Sequence, residues 1–374
     1  MKKILFLTGT RADFGKIKSL IDITIQTPGF ECFIFVTGMH MQKKYGYTVE
    51  EIEKYNYKNI FKYINHTSES TMDQTLSKTI DGFSSYVQEL KPDLIVVHGD
   101  RVEALAGAIV GSLNNILVSH IEGGEVSGTI DELIRHSVSK LSHIHFVSNI
   151  QAKKRLTQMG ELENSIYIIG SPDVDVMLSD KLPSYSLVKE RYQIHYNKFS
   201  IVMFHPVTTE YDSMSFHANQ FVDSLIKSNL NYIVIYPNND LGSSFILNEY
   251  KRLEKLEKFK IFPSIRFEYF LVLLKNSQFI IGNSSAGIRE APYYGLPTIN
   301  IGTRQQNRAI NKDIINTDYK TENIIEAISL SLKLKINKTD LFGAGNSDQL
   351  FISSLLEDRF WNIKKQKTFK DLNI

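Results

Sequence analysis

At 374 residues the chain is long enough for roughly two domains of the usual 100–200 residues, each able to bury a full core. Its 43 Lys and Arg stand against 41 Asp and Glu, a net charge of +2, which excludes bulk electrostatic capture of nucleic acid or of an anionic membrane as a main activity. A lone cysteine, Cys32, excludes an intrachain disulfide and a thiolate metal cluster and fits a reducing, cytoplasmic setting.

The chain opens on Met1-Lys2-Lys3-Ile4-Leu5-Phe6-Leu7, ordered like a signal peptide but with too short an apolar run and with Arg11 and Asp13 directly behind it. No apolar run approaches the roughly 20 residues that span a bilayer. Ile4–Leu7 reads as a strand, Gly9-Thr10-Arg11-Ala12-Asp13-Phe14-Gly15-Lys16 as a tight turn into a helix. Such a helix start offers unpaired N–H groups and a positive dipole end to a phosphate or carboxylate. Further strands are predicted at Cys32–Val36, Leu94–His98, Leu117–Ile121, His145–Val147 and Ile166–Ile168. Runs this apolar imply burial on both faces, as in a parallel sheet. Between them Met72, Leu76, Ile80, Phe83, Val87 and Leu90 recur at helical spacing and form one face of a long helix. Gly170-Ser171-Pro172-Asp173 breaks the pattern, and the polar stretch to Asn197 reads as interdomain chain.

The second half repeats the scheme, with strands at Ile201–Phe204, Tyr232–Tyr236, Lys260–Phe262, Phe279–Ile281 and Thr298–Ile301. A second glycine-rich turn, Gly282-Asn283-Ser284-Ser285-Ala286-Gly287-Ile288-Arg289-Glu290, follows the fourth of these and again reads as strand, turn, helix start. Asp348–Trp361 is helix-like. The pattern predicts an α/β protein of two doubly wound, Rossmann-like lobes, residues 1–175 and 195–354, with a cleft between them. A C-terminal segment at about 355–374 packs back on the first lobe. Two turns of this kind suggest two lobes closing on one anionic ligand.

In open α/β sheets ligands bind outside the carboxyl ends of the strands, and that rule selects the candidate residues. Asp100 follows the strand Leu94–His98, and Glu122 ends the strand around His120. Asp131 stands where a helix N-cap is expected. Clustered carboxylates raise one another's pKa, which lets one serve as base and another as acid. Glu103 and Glu125 read as solvated. Arg11, Arg101, Arg135, Arg289, Arg304 and Arg308 are candidate partners of phosphate oxygens, and Lys16 sits beside the first turn. His205, fixed by Pro206, is placed to donate to a phosphate or protonate a leaving group. Asn238, in Tyr236-Pro237-Asn238-Asn239-Asp240, suits a sugar or base edge, and Glu290 a ribose diol. No zinc, EF-hand, HExxH, GxSxG or P-loop pattern occurs, so neither a metal nor a resident cofactor is expected.

Taken together, these motifs resemble the hydrolysing UDP-N-acetylglucosamine 2-epimerases of bacterial sialic-acid synthesis and the epimerase half of the animal bifunctional enzyme. The resemblance rests on Thr8-Gly9-Thr10-Arg11-Ala12-Asp13, Val36-Thr37-Gly38-Met39-His40, His98-Gly99-Asp100-Arg101, His120-Ile121-Glu122-Gly123-Gly124-Glu125 and Ser127-Gly128-Thr129-Ile130-Asp131. It continues through Phe204-His205-Pro206-Val207-Thr208-Thr209-Glu210, the second glycine-rich turn and Gly302-Thr303-Arg304-Gln305, and so covers nearly the whole chain. It implies a fold like that of the GT-B glycosyltransferases and a homodimer. It implies UDP held by His205, Asn238, Ser284, Ser285 and Glu290, with Arg11 reaching across and Asp13, Lys16, Arg101, Arg304 and Arg308 as further substrate contacts. Asp100, Glu122 and Asp131 would do the sugar chemistry, with Arg135 and His40 in support.

The non-hydrolysing relatives usually carry His-Arg-Arg-Glu-Asn where this chain has His205-Pro206-Val207-Thr208-Thr209, so the chain resembles the hydrolysing branch. Its expected substrate is a UDP-sugar. Three alternatives stay open: the same chemistry on a nucleotide-linked 2,4-diacetamido-trideoxy sugar, a non-hydrolysing epimerase, and a nucleotide-sugar sensor without turnover. A glycosyltransferase shares the fold, and fold alone does not decide function.

Overall fold

The computed structural model describes residues 1–65, 70–127, 130–305 and 314–371. Its contacts divide the chain into two compact units. One comprises Met1–Glu125, Asp131–Ser179 and the stretch from Leu341, the other Val126–Ile130 and Asp180–Asp340.

The first unit holds seven strands: β1 (Lys2–Thr8), β2 (Phe30–Val36), β3 (Ile60–Lys62), β4 (Leu94–His98), β5 (Leu117–Ile121), β6 (Ile144–Val147) and β7 (Ile166–Ile168). They form one parallel sheet in the order β3-β2-β1-β4-β5-β6-β7. The second unit holds β8 (Ser200–Met203), β9 (Tyr232–Ile235), β10 (Phe259–Phe262), β11 (Ile280–Gly282), β12 (Thr298–Ile301) and β13 (Ile314–Thr317). These are also all parallel, in the order β10-β9-β8-β11-β12-β13. Each order reverses once, between β1 and β4 and between β8 and β11, where a doubly wound sheet opens a crevice at its carboxyl edge. The expected α/β architecture of two Rossmann-like sheets is therefore present.

The apolar runs do form the buried strands. Ile4, Leu5 and Phe6 are fully buried, as are Ile201 and Val202. The edge strands β3 and β13 were not expected from the sequence. Ile60-Phe61-Lys62 has no buried residue, and its short run carries too little apolar signal. The helix Met72–Leu90 forms where its spacing predicts, but its buried face differs at the start: Thr75 and Thr79 are buried, while Met72, Leu76 and Ile80 are only half-buried. The Thr75 and Thr79 hydroxyls donate to the carbonyls one turn back, at 2.9 and 2.6 Å, and Asn65 donates to Thr79 at 2.8 Å, which makes their burial cheap.

The expected helix Asp348–Trp361 is two helices, Ser347–Leu355 and Asp358–Trp361. Phe351 and Phe360 from them join the first unit's core, packing against Phe146 at ring distances of 4.9 and 6.1 Å. The stretch from Gly170 to Asn197 is not bare linker: it contains helices Pro172–Met177 and Tyr185–Arg191. Asp175 in the first of these accepts from the Ser347 and Asp348 amides at 2.9 and 3.0 Å.

Candidate active site

In the first unit the glycine-rich turn closes around Asp13. Thr10 caps the helix Arg11–Gln26 by accepting from the Asp13 amide. Asp13 Oδ2 accepts from the Thr8 hydroxyl at 2.8 Å and from the Gly9 amide at 3.1 Å. Its Oδ1 lies 2.8 Å from His98 Nδ1. Asp13 Oδ2 is thus spent within the unit, and Oδ1 faces His98. Lys16 is buried and ion-paired with the buried Asp173 at 3.3 Å. Arg11 pairs with Glu51 at 3.5 Å. Behind the turn, His40 is buried, its Nε2 3.2 Å from Thr8 Oγ1 and its Nδ1 2.7 Å from Thr48 Oγ1. Because the Thr8 hydrogen goes to Asp13, His40 Nε2–H donates to Thr8 and Nδ1 accepts from Thr48. Burial, with Arg11 nearby, lowers the His40 imidazole to about 4 against the opposing pull of Asp13, so it is neutral.

The ends of β4 and β5 carry the next group. Asp100 is ion-paired with Arg135, whose side chain is 1% exposed. His120 Nε2 donates to the Gly99 carbonyl at 2.8 Å and its Nδ1 accepts from Ser139 at 3.0 Å, an arrangement open to a neutral ring. Burial first, then the neighbouring imidazoles of His145 and His98, lowers it to about 3. It fixes the turn from which Asp100 projects. Glu122 has a positive φ of 67°, a strained setting for a non-glycine residue that commonly marks functional sites. Its Oε1 accepts from the buried Ser171 at 2.8 Å and its Oε2 lies 3.5 Å from His98 Nε2. Asp131 is buried in the first turn of the helix Ile130–Leu141 and is not its N-cap, since Ile130 is already helical. One turn further, the same helix supplies Arg135. Arg101 caps the helix Val102–Leu113, its Nε 3.7 Å from Glu103. Glu103 and Glu125 are 2% and 5% exposed and not solvated as expected: Glu103 lies against Gly9 and Gly38, and Glu125 accepts from Ser148 at 2.6 Å.

In the second unit Asn283 is the hub. It accepts from the His205 amide at 2.7 Å through Oδ1 and donates to the His205 carbonyl at 2.9 Å through Nδ2. Its own carbonyl accepts from Arg304 at 3.2 Å and from Gln305 at 2.9 Å. Gly282 before it has a φ of 138°, and a Cβ there would strike the Met203 carbonyl, so only glycine lets β11 approach β8 this closely. His205 Nδ1 accepts from the Asn238 amide at 3.0 Å, which leaves the neutral ring's proton on Nε2. The Asn238 side chain donates to Asp240 at 2.5 Å. The second glycine-rich turn leads into a short 3₁₀ turn, Ser285–Gly287, capped by Ser284, and then into a helix of four residues, Glu290–Tyr293. Glu290 and Arg289 are both buried there. Arg308 lies outside the described residues.

The structure thus ties His40, Asp13 and Glu122 into one chain of polar contacts through Thr8 and His98, and Asp100 to Arg135. It ties His205 to Asn238 and, through Asn283, to Arg304. Sequence reasoning did not assign His98, Asp173, Ser171 or Asn283. His98 and Asn283 stand in quoted motifs at strand ends, which was the available signal. Asp173 and Ser171 lie in the segment read as linker. Among the described residues no group of His, Cys, Asp and Glu is arranged to hold a metal ion, and no helix is long and apolar enough to cross a membrane.

A family model described as UDP-N-acetylglucosamine 2-epimerase matches residues 24–356. A protein of Neisseria meningitidis serogroup B named UDP-N-acetylglucosamine 2-epimerase is 51% identical over 378 residues, covering 100% of both chains. A Legionella pneumophila protein named UDP-N,N'-diacetylbacillosamine 2-epimerase (hydrolyzing) is 33% identical over 354 residues, 93% of this chain and 94% of its own. Among solved structures, that of Methanocaldococcus jannaschii UDP-GlcNAc 2-epimerase in complex with UDP-GlcNAc and UDP superposes with a TM-score of 0.81 at 23% identity, over 95% of this chain and 99% of that one. That likeness speaks for the fold.

Proposed function

The chain belongs to the UDP-N-acetylglucosamine 2-epimerase family, and from that premise we propose that it hydrolyses UDP-N-acetylglucosamine with inversion at C2, giving N-acetylmannosamine and UDP for sialic-acid synthesis. The observation that carries this reading is the grouping of carboxylates and their partners at the ends of β4 and β5: Asp100 on Arg135, Glu122 on Ser171 and His98, and Asp131 one helical turn from Arg135.

The C2 proton lies next to no carbonyl and is not acidic in the resting sugar. It becomes acidic as the anomeric C–O bond breaks, its electron pair leaves with UDP and positive charge builds at C1. Stabilising the leaving diphosphate therefore comes first or together with proton removal. In the second unit His205 has its proton on Nε2, a donor for a phosphate oxygen, with Arg304 close by, and Ser284, Ser285 and Glu290 complete the nucleotide contacts. Asp100 or Glu122 takes the C2 proton, giving 2-acetamidoglucal. Water then adds, its oxygen to C1 and a proton to the opposite face of C2, with Asp131 as partner in hydration. Two faces of C2 need two proton-transfer groups, which accounts for more than one carboxylate. The enzyme works as a cytoplasmic homodimer in this reading, and sedimentation of the purified chain tests the dimer.

An NMR time course with UDP-N-acetylglucosamine in D₂O tests the reaction. It should give free N-acetylmannosamine carrying deuterium at C2 together with UDP; accumulation of UDP-N-acetylmannosamine would refute hydrolysis. Asp100→Asn, Glu122→Gln and Asp131→Asn should each lower kcat by about 10²–10⁴-fold with folding retained, and near-normal turnover in all three would refute the site. The Legionella relative favours a second reading, the same chemistry on a UDP-linked diacetamido sugar, and a substrate panel separates the two.

A further inference from the structure

His98 ends β4 with its side chain 8% exposed, and both ring nitrogens face carboxylates. Nδ1 lies 2.8 Å from Asp13 Oδ1 and Nε2 3.5 Å from Glu122 Oε2. An ionised carboxylate offers only acceptors, and a neutral imidazole has one nitrogen with a bare lone pair. Either neutral tautomer would turn that lone pair onto an oxygen. Only a ring protonated on both nitrogens satisfies both neighbours.

We propose that His98 is the positioning residue of Glu122, held as a cation between Asp13 and Glu122 so that the first βα turn sets the orientation of the proton-transferring carboxylate. One oxygen of each acid is already taken up. Asp13 Oδ2 is held by Thr8 and Gly9 and Glu122 Oε1 by Ser171, and His98 faces the other oxygen of each. One imidazole thereby joins three chain segments: the turn after β1, the end of β4 and the end of β5.

The charges around the ring agree with this. Asp13 faces it from the helix Arg11–Gln26 and Glu122 from the end of β5. His120, on β5, is neutral and adds no competing cation, and so is His40 behind Thr8. Burial alone would lower the His98 imidazole, but the facing carboxylates of Glu122 and Asp13 outweigh it and push the ring up to about 9. Two carboxylates around one cation leave the cluster with a net negative charge, suited to accepting a proton.

The role in catalysis rests on reading Glu122 as a proton-transfer group, whereas the charge of the ring does not. The first experiment therefore needs no substrate. Imidazole ¹⁵N–¹H correlation spectra of the full-length labelled protein at pH 7.5, with His98 assigned by its absence in His98→Gln, should show both ring nitrogens protonated. The same ring should become neutral in Asp13→Asn/Glu122→Gln. A singly protonated His98 in the native protein overturns the proposal, whether or not the variants fold. Kinetically, folded His98→Gln should lose about 10–100-fold in kcat, the usual effect of removing a partner that orients a functional group, while KM stays within about threefold. An unchanged kcat, or a loss carried by KM, also overturns it. If the native protein turns over no UDP-sugar, the proposed function fails while the spectrum still decides the charge of His98.

Discussion

Asn283 shows how one short side chain can organise the proposed nucleotide site. Its amide pairs with both backbone groups of His205, and its carbonyl receives Arg304 and Gln305. Asn283→Ala strands the His205 amide and carbonyl without their partners. Each such loss costs about 1–3 kcal/mol, so UDP affinity, measured by calorimetry, should fall by roughly 10–100-fold with little change in the melting of the first unit. Unchanged UDP affinity would place the nucleotide elsewhere. At this scale the sequence was legible where a motif named a residue by its chemistry. Asp100, Glu122 and His205 stand at strand ends, and strand ends could be found. His98 stands at one too, but its meaning depends on Asp13 and Glu122 meeting it from two other segments, and no local pattern carries that. Glu103 read as solvated because the residues it lies against, Gly9 and Gly38, are distant in sequence.

Elements were legible in proportion to their burial. The central strands β1, β4 and β8 are built on apolar runs and β5 and β12 are buried throughout, and the sequence located each within a residue or two at either end. Of the four edge strands, β7 and β10 each bury a residue and were found, whereas β3 and β13 bury none, so nothing distinguishes them from loop. The C-terminal helices were legible as helix but not as two pieces, because the break falls at Leu356-Glu357, where neither proline nor glycine marks it. Their contribution is testable. Phe351 is fully buried against Phe6 and Phe146, at ring distances of 6.3 and 4.9 Å. Phe351→Ala should therefore destabilise the first unit by about 3–5 kcal/mol in urea unfolding. A loss below about 1 kcal/mol would mean that these helices ride on the unit without completing its core.

Across the whole molecule, buried histidines set the pH range of stability from both sides. His98 is raised to about 9, so its stabilising contribution is complete below its unfolded value near 6.5 and is lost as pH rises toward 9. His40 and His120 are lowered to about 4 and about 3, so theirs is complete above 6.5 and is lost as pH falls. Each proton mismatch is worth on the order of 1.4 kcal/mol per pH unit. Melting temperature should therefore peak near neutrality and fall more steeply on the acid side, where His40 and His120 act together with the likewise lowered His143, His145 and Glu161. A flat profile between about pH 5 and 9 would contradict these environments.

The return of the chain to the first unit at Leu341 has a consequence for the order in which the protein is made. Synthesis delivers β1 through β7 first, yet Phe351, Leu355 and Phe360, which close that core, come only after residues 180–340. At about 5–20 residues per second the ribosome needs roughly 10–30 s to deliver that intervening stretch. During that time the nascent first unit exposes the apolar surface around Phe146, while the second, sequence-continuous from Asp180, can fold as it emerges. The early half of the chain is thus finished last, and it is the half for which a chaperone would have the longest opportunity.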